Sequence, residues 1–164
     1  ILLVTFALTV FADLVVAVNI GVILATLHFL RRMAASVEVQ EVTNADLQEE
    51  LRRCGRERLP EGVAVYAVEG PFFFGAVENF ERALAVTDPN LRDLIIRLRW
   101  VPFIDITGLQ TLEDVIGALQ RRGVRVALSG ANPRVAAKLE KAGIVAQVGR
   151  ENVFREFHEA LAAR

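Results

Sequence analysis

The sequence predicts a small α/β domain preceded by two short membrane helices. Two observations carry this reading. Residues 1–30 hold one formally charged side chain, Asp13, and no Lys or Arg, so the excess hydrophobicity of the chain (53%) is concentrated there. Residues 63–164 instead alternate short β-rich runs with amphipathic helical stretches, the pattern of parallel strands joined by helical crossovers. Charge supplies an exclusion. With Asp13 set aside, residues 31–164 carry 19 basic and 19 acidic side chains. Nucleic-acid-binding domains normally show a basic excess or stripe, so none is expected as a partner. One cysteine excludes an internal disulfide framework and a four-cysteine zinc site, and His28 and His158 are too far apart in sequence for a histidine-rich metal site.

The apolar segment exceeds the roughly 20 residues needed to cross a bilayer. As one straight helix it would run about 45 Å, longer than the ~30 Å hydrocarbon core. Asp13 and Asn19 stand near its middle, and lipid penalises such side chains unless they face protein or water. The favoured reading is two helices, residues 1–12 and 14–32, with the Asp13 carboxylate capping the second and facing the positive end of its dipole. Asp13 and Asn19 are accordingly the polar or helix-break candidates. A signal peptide would carry its basic residues before the apolar run; here Arg31 and Arg32 follow it, as a cytoplasmic anchor does. The chain begins with Ile1, which is taken to mark a C-terminal piece of a longer polypeptide. A buried helix of a soluble protein is the remaining alternative.

Residues 34–62 read as a linker with a short strand around Val37 and Val39 and a helix over 43–54, followed by a charged loop containing Pro60. Strands are expected over 63–69 and 72–74, then a helix over 76–86 with Val77, Phe80 and Leu84 at helical spacing. A strand over 94–98 runs towards Asp105. The next helix opens at Thr107, its apolar face made by Leu109, Leu112, Val115, Ile116 and Leu119. A strand over 124–128, a helix over 133–142, a short strand over 144–148 and a final helix over 152–163 complete the pattern.

The most informative stretch is Phe103-Ile104-Asp105-Ile106-Thr107-Gly108-Leu109-Gln110. An acid and a hydroxyl appear where a hydrophobic strand gives way to an amphipathic helix. Thr107 followed three residues later by Gln110 predicts a capping box, and Gly108 allows a close turn without a Cβ. A phosphate on Thr107 would lie near orphan helix N–H groups and beside the Asp105 charge, so the same loop is a candidate regulatory site made of Asp105, Thr107 and Gly108.

Three runs together resemble a known family: Gly70-Pro71-Phe72-Phe73-Phe74-Gly75, Asp105-Ile106-Thr107-Gly108-Leu109 and Arg121-Arg122-Gly123, in this order among strands and helices. They resemble a STAS domain, shared by anti-sigma-factor antagonists and the cytoplasmic tails of SulP-type anion permeases. Leu8 to Leu14, Ala17 to Val22 and Phe29-Leu30-Arg31-Arg32-Met33 look like the end of a SulP permease just before its STAS domain. The resemblance implies a STAS-like mixed sheet with helices packed on one side, preceded by two short membrane helices. It implies a multi-pass protein of the cell inner (plasma) membrane with its STAS domain in the cytoplasm. Residues 1–33 would end the membrane domain, and the STAS domain would occupy 63–164.

The function implied is secondary transport of sulfate, bicarbonate or dicarboxylates, with the STAS domain as a regulatory, assembly or protein-docking module. Partners would be membrane lipid, the rest of the transporter, and a protein partner or homo-dimer. The alternative is a membrane-tethered phospho-switch. Soluble antagonists are phosphorylated on the residue directly before the motif's glycine, held here by Thr107, although Ile106 stands where they carry a small polar residue. A third reading is a ligand-binding or catalytic α/β domain with its ligand near Asp105 to Gly108.

Other candidates are weaker. Phe72 to Phe74 are expected in the core rather than as a docking surface. Cys54, among Arg52, Arg53, Arg56 and Arg58, is either a reactive or an inert surface thiol. Some STAS domains are reported to bind guanine nucleotides, but Gly70 and Gly75 form no phosphate-binding loop and nothing specifies such a pocket. No cofactor, metal or enzymatic activity is expected.

Overall fold

The structure is a computed structural model that describes residues 2–11, 13–34, 38–72 and 90–164. The chain divides into two compact units, Ile1–Ser36 and Val37–Arg164.

In the first unit, α1 (Leu2–Phe11) and α2 (Leu14–Ala34) pack against one another across a break at Asp13. Their close approach is visible at Gly21, where an added Cβ would stand 2.8 Å from Thr5 Cγ2. Ala17 is buried, while Leu3, Phe6, Phe11, Val15, Ile23 and Phe29 are exposed. The Leu14–Arg31 stretch of α2 is long and apolar enough to cross a membrane.

The second unit is built on a five-stranded mixed sheet in the order β1 (Glu38–Glu41), β2 (Val63–Glu69), β3 (Asp93–Trp100), β4 (Arg125–Ser129) and β5 (Val153–Phe154). β1 pairs antiparallel with β2, and the other pairs are parallel. Residues expected in a linker therefore supply a sheet strand and a core helix. In α3 (Gln48–Arg53), Leu51 is fully buried, and so is the preceding Leu47. The helix is shorter than residues 43–54. A turn precedes it, in which the Thr43 N–H and hydroxyl donate to Asp46 Oδ2 at 3.1 and 2.7 Å. Those two bonds favour the carboxylate and hold Asp46 below the usual carboxylate range.

Strand pleating assigns the core to two faces. Val65, Ile95 and Ala127 lie in one cross-strand row and pack with Leu47, Leu51 and α7 (Phe157–Ala162), whose Phe157, Ala160 and Leu161 complete the cluster. The next row, Tyr66, Ile96 and Leu128, points to the opposite face and is buried too. Three further helices follow the central strands: α4 (Ile106–Arg121), α5 (Pro133–Lys141) and α6 (Ile144–Val148). α4 and α6 touch β4, and α5 leans on α6. The main helical layer is thus α4 to α6, with short α3 and α7 adding cover over the Ile95 row.

Two expectations at the C-terminal side are corrected. Residues 144–148 form α6 rather than a strand: Gly143 takes φ +82° and turns the chain, and Ile144, Val145 and Val148 share one buried helical face. The fifth strand is instead Val153–Phe154, so the final helix starts at Phe157 and not at residue 152. The helix expected over 76–86, and the Phe73 and Phe74 part of the second β-run, lie outside the described residues.

One buried charge closes the sheet end opposite the Thr107 loop. Asp93 is 4% exposed; Arg125 Nη2 donates to its Oδ2 at 2.8 Å. Arg164 Nε stands 3.0 Å from its Oδ1 as a charge contact outside hydrogen-bond geometry. The Arg164 guanidinium also donates to Asn152 Oδ1 at 2.9 Å. Removing one member of a buried pair strands the other charge, so Asp93→Ala should cost about 3–5 kcal/mol. Denaturant unfolding of the full chain in detergent, followed by Trp100 emission, measures this; a loss below about 1 kcal/mol would rule out a structural role for the pair.

Candidate functional site

The Asp105–Gly108 loop is positioned by the strand before it. Beyond Trp100 the chain leaves the sheet, and Ile104 forms an isolated parallel bridge with Phe72. Phe72 N donates to Phe103 O at 3.0 Å, and Asp105 N donates to Phe72 O at 3.2 Å. Phe72 and Ile104 are fully buried, which places Phe72 in the core. The backbone at Asp105 is thereby fixed before the helix begins.

Asp105, extended at φ −98° and ψ −176°, is the N-cap of α4. Its Oδ1 accepts from Gly108 N at 2.8 Å. This corrects the expected capping box. The helix starts at Ile106, so Thr107 is its second residue and is half-buried, and Gln110 is exposed. The Thr107 carbonyl accepts from Thr111 Oγ1 at 2.9 Å. The reason is electrostatic and geometric: Asp105 reaches the third N–H of the helix, and its charge faces the dipole's positive end.

Gly108 is required by a close approach and not by a special φ. An added Cβ would sit 2.5 Å from Phe72 O and 3.0 Å from Ile104 Cγ1. The first turn of α4 therefore rests directly on the Phe72 backbone. Two side chains from α5 and its cap complete the loop. Asn132 Nδ2 donates to Val101 O at 2.7 Å while its Oδ1 caps α5, and Lys138 Nζ donates to Ile104 O. Sequence reading missed both, since an asparagine before Pro133 and a lysine within a helix give no sign of a distant loop. Ile106 projects outward and is 68% exposed.

Chemically, the loop offers one hydroxyl and one carboxylate already engaged at the helix start. A phosphate on Thr107 would have to share that helix terminus with Asp105. Asp13 and Asn19 belong to the other unit, where backbone groups of α2 engage them. Asp13 Oδ1 accepts from Val15 N at 3.0 Å, and Asn19 Nδ2 donates to Val15 O at 2.8 Å. Cys54 packs against the Ile95 core cluster and donates to His158 O at 3.5 Å.

A cleft of about 280 Å³ lies between α3, the end of β3 and the start of α7. Its charges are mutually engaged: Arg53 with Glu49 at 2.8 Å, Arg97 with Glu50 at 3.2 Å, and Arg99 with Glu156 at 3.7 Å. Arg97 also lies 4.5 Å over the Phe157 ring. Among the described residues, no group of three His, Cys, Asp or Glu side chains is arranged to hold a metal.

Comparison with known proteins now decides the family, because the STAS domain matches residues 57–160. The chain belongs to the STAS-domain family. Its relatives include YvdB of Bacillus subtilis (strain 168), 29% identical over 97% of this chain and 29% of its own length. The bicarbonate transporter BicA of Synechocystis sp. (strain ATCC 27184 / PCC 6803 / Kazusa) is 30% identical over 94% of this chain and 28% of its own. The chain thus spans less than a third of these curated relatives. Among solved structures, the SulP transporter STAS domain from Vibrio cholerae is 53% identical, with a TM-score of 0.64 over 73% of this chain and 93% of that one. Murine Slc26a9, an anion transporter, shares the fold over 96% of this chain and 27% of its own, at TM-score 0.74 and 21% identity.

Two substitutions separate the roles at the STAS loop. Asp105→Ala should cost about 1 kcal/mol through loss of the cap, whereas Thr107→Ala should stay within about 0.5 kcal/mol. The reverse order in denaturant unfolding would reinstate Thr107 as the cap. Gly108→Ala forces the helix off the Phe72 carbonyl, at a cost of about 1–3 kcal/mol. An unchanged unfolding midpoint for that variant would show that the close approach relaxes freely.

Proposed function

We propose that this chain is the C-terminal part of a SulP-type secondary anion transporter. On this reading α1 and α2 complete its membrane domain, and the STAS domain is a cytoplasmic regulatory, assembly or docking module. The observation that carries it is the first unit's surface. Side chains as large as Phe6, Phe11, Leu14, Ile23 and Phe29 are exposed on a tightly packed helix pair. Water does not tolerate an apolar surface of that extent, but lipid and neighbouring membrane helices do. Asp13 and Asn19 each make a hydrogen bond to the backbone of α2, which lowers the cost of a polar side chain in this setting. Similarity to the curated relatives extends over both units, which supports treating them as parts of one transporter.

The substrate is drawn from the sulfate, bicarbonate or dicarboxylate class. None of the residues on this chain is assigned to the transport site. The engaged charges of the STAS cleft support a module that acts by binding and not by chemistry of its own. Uptake of a panel of radiolabelled anions by the full-length parent in proteoliposomes, intact and cut after Met33, tests the reading. Uptake by the intact protein, altered by the cut, is the expected result. No anion moving, with Thr107 quantitatively phosphorylated in cells, would replace it with the phospho-switch.

A further inference from the structure

We propose that the STAS domain lays the end of its sheet carrying Trp100, Phe103 and Ile106 onto the interfacial layer of the lipid bilayer. The inference rests on the reading that the apolar helix pair is inserted in that bilayer. It starts from an asymmetry of the domain's surface. Among its described residues, the exposed large apolar side chains are Trp100 (60%), Phe103 (45%) and Ile106 (68%). All three fall within seven consecutive positions at one end of the fold, between the close of β3 and the first turn of α4.

Strand register says which end this is. Glu38, the first residue of β1, pairs with Glu69, and Glu69 pairs with Trp100. The three residues form one row across adjacent strands, so Glu38 and Trp100 lie about 10 Å apart. Glu38 is the first described residue of the second unit, so the chain enters the domain at this row. Asp93, at the opposite end of β3, lies about 23 Å farther along the strand. The exposed apolar residues are therefore on the end of the domain where the chain arrives from the membrane segment.

The chemistry suits an interface more than a dry protein contact. Tryptophan settles at headgroup depth, phenylalanine and isoleucine bury at the boundary with the acyl chains, and cations beside them meet anionic lipid. Arg99 lies 5.7 Å over the Trp100 ring and 3.7 Å from Glu156. Arg134 is exposed beside Asn132, which bonds the loop carbonyls of Val101 and Pro102, and Lys138 bonds Ile104 O. Asp105, the carboxylate within the loop, is turned inward onto Gly108 N, while Glu69, beside Trp100 in the row, is exposed.

Trp100 is the only tryptophan of the chain, so its emission reports this surface without labelling. The full chain is reconstituted into phosphatidylcholine–phosphatidylglycerol vesicles, and flotation establishes incorporation. Trp100 emission is expected to shift to the blue, to be largely lost when the acyl chains are brominated, and to resist iodide present on both sides. Phe103→Glu with Ile106→Glu should return iodide quenching and abolish lipid quenching, with the far-ultraviolet circular dichroism unchanged. Wild-type Trp100 reached by iodide and untouched by brominated lipid would overturn the inference while leaving the inserted helix pair in place. Shielding from both quenchers would mean that protein, such as a second copy, covers the patch, and would overturn it too. A chain that fails to float would overturn the membrane reading and this inference together.

Discussion

The carbonyl oxygen of Phe72 is the point from which the functional end of the STAS domain is built. It accepts the Asp105 N–H, and it lies where any side chain on residue 108 would have to go. These two facts fix the first turn of α4 in both position and direction. With the turn seated there, Asp105 is held extended at the N-cap, Leu109 and Leu112 face the core, and Ile106 is forced outward. The exposed isoleucine is therefore a consequence of the same contact that demands the glycine. A shift of α4 by one residue would bury Ile106 only by lifting Leu109 and Leu112 from the sheet. Burial of such side chains stabilises by about 1.5–3 kcal/mol each, so that exchange is unfavourable.

The two units solve the same problem of backbone satisfaction for different surroundings. In the α/β unit, strands pair side by side and helix starts are closed by Asp105 and Asn132, while loop carbonyls are met by Asn132 and Lys138. In the first unit, four described side chains bond locally. Thr5 and Thr9 return their hydroxyls to carbonyls one turn earlier, and Asp13 and Asn19 bond within α2. A helix pair that directs its polar groups back to its own backbone and its apolar groups outward meets the requirement of a hydrocarbon setting. That division of labour follows from residue type, without any appeal to the parent protein.

Sequence alone made the central sheet legible because its signals are redundant. Residues 63–69, 94–98 and 124–128 are short, β-rich and bounded by turn residues; the first is a strand with those same ends, and the other two are strands with ends moved by one or two positions. The misreadings fall where signals are short. Residues 144–148 are five apolar-rich positions with strong β-formers, yet three of them have a helical face to bury behind Gly143, and tertiary packing outweighs propensity. Val153–Phe154 is a two-residue strand that exists only because β4 offers an edge, which no local pattern announces. At the loop, the acid, the hydroxyl and the glycine were all legible as a group. Their roles were not, because the spacing of Thr107 to Gln110 imitates a capping box while Asp105, three residues before Gly108, does the capping. Asn132 and Lys138 were out of reach, since their contribution depends on a contact about 30 residues away in sequence.

A domain that acts by binding can influence a transporter only by preferring one of its states. A partner that bound both states equally would leave the transport equilibrium untouched, however tightly it bound. A modest preference is enough, since coupling of about 1–3 kcal/mol changes an affinity by about 5–150-fold. Such a preference needs a part of the domain that carries load without yielding. β1 is held by a full antiparallel ladder to β2, and β2 by the core row through Val65, Ile95 and Ala127. A displacement at Glu38 is therefore resisted by the packed core and is not dissipated in a loop. On the proposed reading, that stiffness lets the domain pass on a binding event as a shift of the whole sheet.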